Sequence, residues 1–252
     1  MSFDLSSLNP AQAEAVNALN GPVLILAGAG TGKTRTVTCR ISHMVDRGIP
    51  ADQILAVTFT NKAASEMRER VCQMVSKAAG KELTVCTFHS LCVRILRTGI
   101  DRLGYKQNFT IYTGNDQTGL IKQIIIRKGG ADEKLEPGVV LSKISNVKNA
   151  GRDFDDMDDP FIADIAQAYQ NELRAQNAVD FDDLLLLAEK LLREHEDVRT
   201  DVHRRYLHVL VDEFQDVNHA SAELVAELAG VRVERASAVL HFPGCPGTRA
   251  AE

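Results

Sequence analysis

The spacing of apolar residues switches between two periods along the first hundred positions. Residues 22–27 (PVLILA) form a continuous apolar run of strand length, the pattern of a strand buried on both faces. Residues 33–45 follow with Val37, Ile41, Met44 and Val45 at helical spacing. A second strand is predicted over 54–59 (ILAVTF) and a helix over 61–75, striped by Ala63, Ala64, Met67, Val71, Met74 and Val75. A third strand is predicted over 84–88, then a helix over 90–97. Short apolar runs alternating with amphipathic helices predict a parallel sheet with helices packed on it, an α/β fold.

The texture changes near Gly104. From there to about Asn177 the pattern is helices and loops, with helices predicted over 118–128 (Leu120, Ile121, Ile124, Ile125) and 161–174 (Phe161, Ile165, Ala168, Tyr169, Leu173). Gly129, Gly130, Pro137 and Gly138 mark loops between them, and the acidic stretch DFDDMDD (153–159) reads as a solvated turn, since it lacks the spacing and glycine of a calcium loop. This region reads as a helical subdomain inserted in the α/β unit. Beyond it, a helix over 182–193, a strand over 207–211 (LHVLV) and a helix over 220–228 with Gly230 as its C-cap return the chain to the sheet. The last residues, 231–252, hold a short Pro/Gly cluster and fit poorly with what precedes them.

Composition narrows the class. The 252 residues, 44% hydrophobic and 25% charged, suffice for a sizeable core and exclude a disordered or fibrous chain. No apolar run approaches the ~20 residues of a membrane helix, so no membrane partner is expected. The N-terminus lacks a secretory pattern, and the five cysteines are scattered without a CxxC pair. Reduced thiols and a cytoplasmic location are the expectation. The net charge of −5 excludes a globally basic nucleic-acid binder but not a local basic groove.

The sharpest local signal is AGAGTGKT, residues 27–34, between the predicted strand and helix. This is the context of a phosphate-binding loop. The backbone of Ala27, Gly28, Ala29, Gly30, Thr31 and Gly32 can turn amides inward as a nest for phosphate oxygens, and the helix beginning at Lys33 adds its positive end. Lys33 can reach β- and γ-phosphates, and the Thr34 hydroxyl can ligate Mg²⁺. Ala27 replaces the first glycine of the strict consensus. At the end of the 207–211 strand stand Asp212 and Glu213, in the crevice where α/β sheets bind ligands. Asp212 is a candidate Mg²⁺ anchor, and Glu213 a candidate general base or water-orienting group.

Two further segments follow strand ends: TFTNKAASEMRER (58–70) and TFHS (87–90). Thr58, Thr60 and Asn61 can donate to phosphate, Phe59 and Phe88 could stack on bases, and Lys62, Arg68 and His89 add polar or basic groups. Composition alone favours another reading, with both phenylalanines in the core and the polar groups as helix caps.

Six segments in order, LNPAQAEAV (8–16), AGAGTGKTRT (27–36), AVTFTNKAASEMRERV (56–71), TFHSLCVRIL (87–96), NAVDFDDLL (177–185) and VDEFQD (211–216), resemble superfamily 1 DNA helicases of the UvrD/Rep/PcrA type. The resemblance covers about residues 5–230, the N-terminal half of that family. It implies an ATP- and Mg²⁺-dependent 3′→5′ translocase acting on single-stranded and 3′-tailed duplex DNA, alongside proteins of repair or replication. It further implies that Gln12 contacts adenine and that Arg35 lies beside the nucleotide. Phe59, Thr60, Asn61, Lys62, Phe88 and His89 would line the single-strand track. Gln215 would couple nucleotide state to that track, so that Lys33, Thr34, Asp212, Glu213 and Gln215 form the catalytic set.

In domain terms the resemblance implies a RecA-like domain 1A over 1–104 and 179–230, an inserted helical subdomain 1B over 105–178, and a divergent tail over 231–252. Where the family continues past the DEFQD helix with a strand and a Gly-Asp-x-x-Gln-Ser-Ile-Tyr segment, residues 231–252 hold no glutamine or tyrosine, and no second RecA-like domain follows. A truncated helicase with an out-of-frame tail, modest stability and a tendency to aggregate is the expectation. Two other readings stand beside it: a fragment that binds ATP–Mg²⁺ and single-stranded DNA without turnover, and part of a recombination helicase–nuclease. An ATPase assay with and without single-stranded DNA separates the first from helicase activity.

Overall fold

A computed structural model describes residues 5–28, 30–129, 135–230, 232–233 and 240–241. The predicted 231–252 tail, Ala29 and Gly130 therefore lie wholly or largely outside the described residues. The helices are α1 (Pro10–Asn17), α2 (Lys33–Asp46), α3 (Asn61–Met74), α4 (Lys77–Glu82), α5 (Phe88–Gly99), α6 (Gly114–Arg127), α7 (Pro137–Asn149), α8 (Pro160–Ala175), α9 (Phe181–Glu194), α10 (Glu196–Arg205) and α11 (His219–Ala229). The strands are β1 (Ile54–Thr58), β2 (Thr84–Thr87), β3 (Thr110–Ile111), β4 (Ala178–Val179), β5 (His208–Val211), β6 (Arg232–Val233) and β7 (Leu240–His241). The chain is α/β, with a parallel sheet and many helices.

It divides into two compact units. One comprises residues 1–91, 200–216 and 228–252, the other residues 92–199 and 217–227. The first unit is built on a parallel sheet in the order β2-β1-β5. All of β1 and β2 is buried, the apolar residues and the threonines Thr58, Thr84 and Thr87 alike, as in a strand covered on both faces. Val37, Ile41 and Met44 of α2 and Met67 and Val71 of α3 pack with Ile54, Ala56, Val85 and Leu210 as one core. Local chemistry sets the helix starts. The Thr60 side chain accepts the Ala63 amide at the head of α3. The Thr87 hydroxyl accepts the Ser90 amide, so α5 begins at Phe88 rather than at residue 90.

One expectation is overturned. Residues 22–28 form no strand, and Leu24 and Leu26 are 71% and 70% exposed. The run has the composition of a buried strand, but a strand also needs a ladder. Among the described residues β5 pairs with β1 alone, and no strand flanks 22–28. Its apolar side chains are left facing solvent.

The second unit is helical around a short parallel pair, β3 with β4. Leu120, Ile121, Ile124 and Ile125 of α6 pack with Val140 and Ile144 of α7 and Ile162, Ile165, Tyr169 and Leu173 of α8. Helix α7 occupies a stretch whose Pro137 and Gly138 suggested a loop; Pro137 is instead the first residue of the helix, where its missing amide costs nothing. The acidic stretch ends in Asp159, which accepts the Phe161 and Ile162 amides and starts α8. Beneath these helices lies a buried ionic cluster. The Lys148 ammonium sits 2.8 Å from both Asp180 and Asp183, and the Tyr169 hydroxyl donates to Asp180 at 3.1 Å. Burial pulls the Lys148 pKa down, but the two carboxylates outweigh it and hold the ammonium above its ordinary value. Desolvation pushes Asp183 up, against the pull of Lys148.

Candidate nucleotide and nucleic-acid site

Every candidate residue the sequence singled out belongs to the first unit. The phosphate loop leads into α2, whose N-cap Gly32 has φ +91°, and Gly30 has φ +77°. An added Cβ on Gly32 would stand 3.2 Å from the Gln12 amide nitrogen, so backbone and space both call for glycine there. Thr31 folds its hydroxyl onto the Gly28 carbonyl at 2.7 Å. Ala27 supplies a carbonyl that accepts the Lys33 ammonium at 3.2 Å.

Gln12 arrives from α1. Asn9 and Gln12 form a reciprocal capping box, with the Gln12 Oε1 accepting the Asn9 amide and Asn9 Oδ1 accepting the Gln12 amide. This fixes the Gln12 amide group so that its Nε2 donates to the Thr31 carbonyl at 3.0 Å, which seats it on the phosphate loop. Arg35 donates to the Ser7 carbonyl at 3.2 Å and is exposed beside the loop.

The acidic strand end meets the loop. Asp212 extends the β5 ladder through its amide to the Val57 carbonyl, 3.0 Å away. The Thr34 hydroxyl donates to Asp212 Oδ2 at 3.2 Å, across 178 residues of sequence. Asp212 is 5% exposed, and desolvation pushes its carboxyl up despite the Thr34 hydrogen bond. Glu213 lies 3.7 Å from the Lys33 ammonium, with 41% of its side chain exposed. Its backbone has φ +54°, a left-handed conformation that non-glycine residues adopt rarely and at a cost. Gln215 donates to Glu213 Oε2. A hydroxyl, a carboxylate and an ammonium thus converge on a glycine loop at a helix start. This donor set suits a hard divalent cation carrying phosphate oxygens. Among the described residues there is no cluster of three acidic, histidine or cysteine side chains that would hold a metal by itself.

The second group of candidates lies at the ends of β1 and β2. Phe59 is half-buried and packs on Phe88, ring centroids 5.2 Å apart. Phe88 is 2% exposed and belongs to the core. Thr60, Asn61 and Lys62 are exposed, with Lys62 4.0 Å from Glu66, and His89 is half-buried. Arg68 turns back to the Val85 carbonyl at 2.8 Å, so its charge serves the sheet. The core-and-cap reading describes Phe88 and Thr60, while Phe59, Asn61 and Lys62 remain presented at the strand tips.

A model of the UvrD/REP helicase N-terminal domain matches residues 8–238. The chain is 40% identical over 233 residues to the ATP-dependent DNA helicase PcrA of Bacillus subtilis, covering 89% of this chain and 31% of that protein. It is 40% identical to PcrA of Staphylococcus aureus over 89% of this chain and 32% of that protein. It is 44% identical over 239 residues to the ATP-dependent DNA helicase UvrD1 of Mycobacterium bovis, covering 90% and 31%. The chain spans about a third of the length of these relatives. No helix among the described residues is long and apolar enough to cross a membrane.

Proposed function

The chain belongs to the UvrD/Rep helicase family through its N-terminal domain, and from that premise we propose that it is the ATP-binding part of an ATP-dependent 3′→5′ DNA helicase. The observation that carries the proposal is the 3.2 Å contact between the Thr34 hydroxyl and Asp212, which joins the phosphate loop to the acidic end of β5. Thr34 and Asp212 would hold Mg²⁺, directly or through water. Gln12 would hold the adenine, and the amides of residues 28–34 the phosphates. Bound Mg²⁺ with ATP supplies a polarised γ-phosphoryl group whose charge the site must balance.

The protein's own groups then have separable tasks. Lys33, released from the Ala27 carbonyl, neutralises charge on the β- and γ-phosphate oxygens. Glu213 orients the attacking water and accepts its proton. Gln215, bonded to Glu213, senses the change and passes it toward the strand tips. There Phe59, Thr60, Asn61 and Lys62, with Phe88 and His89 behind them, would meet single-stranded DNA, the partner we assign together with 3′-tailed duplex. We assign domain 1A to 1–104 and 179–230 and subdomain 1B to 105–178, and place the protein in the cytoplasm among repair or replication proteins.

Unwinding needs two such domains closing and opening on ATP. The 252-residue chain by itself is therefore expected to bind nucleotide without displacing a strand. The test is titration of a fluorescent ATP analogue with Mg²⁺ against wild type and Lys33→Ala, followed by ATPase and strand-displacement assays on a 3′-tailed duplex. Saturable binding lost in Lys33→Ala supports the site. Equal affinity in both proteins refutes it, and robust unwinding by this chain alone refutes the need for a second domain.

A further inference from the structure

The last residues of β1 and β2 are both threonines, Thr58 and Thr87, and they are partners in register. Both are buried, at 1% and 6% exposure. A hydroxyl taken out of water costs stability unless it is hydrogen-bonded, and a valine would fill the same space without that cost. Each hydroxyl therefore needs a task in the turn that follows. Thr87 has a familiar one, since it accepts the Ser90 amide at the head of α5. Thr58 does something different. Its Oγ1 donates to the Thr60 carbonyl at 3.1 Å.

Thr60 is the N-cap of α3 and serves it twice. Its hydroxyl accepts the Ala63 amide at 3.1 Å, and its carbonyl accepts the Ala64 amide at 3.0 Å. The Thr58 hydroxyl takes the second lone pair of that carbonyl. The bond closes a small ring around Phe59 and so restricts its backbone torsions. The Phe59 ring rests on Phe88, with centroids 5.2 Å and planes 52° apart. Asn61 and Lys62, the first two residues of α3, are left exposed. A hydroxyl so buried and so engaged is no donor for a phosphate, which sets Thr58 apart from the role its sequence context suggested.

The base of the turn is fixed as well. The Asp212 amide donates to the Val57 carbonyl at 3.0 Å, and that carbonyl belongs to the peptide unit ending at the Thr58 nitrogen. The turn is thus built on the same strand end that carries the Mg²⁺ candidate, and all these residues belong to the first unit. We propose that Thr58 is a positioning residue for an unpaired nucleic-acid strand: its buried hydroxyl sets the turn that aims Phe59, Asn61 and Lys62, and it touches no strand itself. The proposal rests on the reading of these tips as a single-strand track for its consequence, though not for its geometry.

Thr58→Val keeps the branched shape and removes the donor, and Thr58→Ser keeps the donor on a smaller side chain. Thr58→Ala removes the donor without adding apolar contact and repeats the comparison should the valine variant fail to fold. Amide exchange read by NMR at Ala63 and Ala64 reports the turn. Exchange at Thr36, whose amide bonds the Gly32 carbonyl at 2.9 Å, reports the stability of the unit at large. Fluorescence anisotropy of a labelled oligothymidylate reports strand binding.

In Thr58→Val, Ala63 and Ala64 should exchange about three- to tenfold faster, the range for one neutral hydrogen bond, while Thr36 keeps its wild-type rate. Affinity for the oligothymidylate should fall by a similar factor, and both should return toward wild type in Thr58→Ser. Unchanged exchange at Ala63 and Ala64 overturns the proposal. A rise that includes Thr36 overturns it too, since Thr58 would then be an ordinary packing residue. Full affinity with a loosened turn removes the role toward the strand. Failure of the wild type to bind the oligothymidylate refutes the single-strand track instead, and exchange at Ala63 and Ala64 still decides whether Thr58 sets the turn.

Discussion

Replacing Leu24 and Leu26 together by alanine tests the unpaired state of residues 22–28. The two side chains are 71% and 70% exposed, so about three-tenths of each is removed from solvent. Full burial of a leucine stabilises by about 1.5–3 kcal/mol, so the buried fraction is worth roughly 0.4–0.9 kcal/mol at each position. The double variant should therefore lose about 1–2 kcal/mol at most, since alanine retains part of the contact. In a strand buried on both faces, each leucine-to-alanine change would cost about 2–5 kcal/mol and the pair at least about 4. Equilibrium urea unfolding at 25 °C, followed by far-UV circular dichroism, distinguishes these ranges. A loss above about 3 kcal/mol would show that the run is packed and refute the argument. The same exposure predicts that Leu24→Lys with Leu26→Lys lowers concentration-dependent light scattering, because it places charge on an apolar, strand-prone segment.

Glu213→Gln should leave nucleotide affinity largely intact and lower any measurable hydrolysis by about 10²-fold or more, since the amide keeps the shape but cannot take a proton; turnover equal to wild type would reduce Glu213 to a strand-end carboxylate. Lys148→Met should lower the melting temperature sharply, with a loss of about 3–5 kcal/mol, because Asp180 and Asp183 would remain buried without their cation; an unchanged melting curve would refute the cluster. For Asp212, desolvation raises the folded-state pKa above the unfolded one, so between the two the folded protein holds more protons and stability falls as pH rises through that window. Asp212→Asn should therefore melt no lower than wild type at pH 7.5, with any advantage shrinking toward about pH 4. A variant that melts well below wild type at pH 7.5 would contradict the sign.

Where local chemistry decides the structure, the sequence is legible. The stripe of Val37, Ile41 and Met44 gives α2 nearly to the residue, and the GKT motif with the DEFQD segment names the residues that meet at 3.2 Å. Two further signals are local too. Asn9 with Gln12 is a capping box ahead of α1, and Val140, Ile144 and Val147 are helically spaced behind Pro137. What sequence cannot carry is partnership. Residues 22–27 have the composition of a strand, but the ladder that makes one depends on a neighbour chosen elsewhere in the fold. Phe88 and Phe59 look alike in sequence, yet only Phe88 is fully buried, because depth below a sheet end depends on the helices packed over it. Lys148 gives no hint that it is 4% exposed, since its two counter-charges come from a segment beyond the next helix.

The Gln12 side chain belongs to two structures at once. One end of its amide completes the first turn of α1 through Asn9, and the other holds the Thr31 carbonyl on the phosphate loop. An adenine that drew Nε2 away from Thr31 would leave Oε1 in the capping box, so the base could be engaged without unravelling the helix. Movement of the loop would nevertheless be felt at the start of α1, far along the chain from the chemistry. The first dozen residues then behave as a gauge of occupancy: protease cleavage ahead of Pro10, or a dye attached at Ser6, should register whether the site is filled.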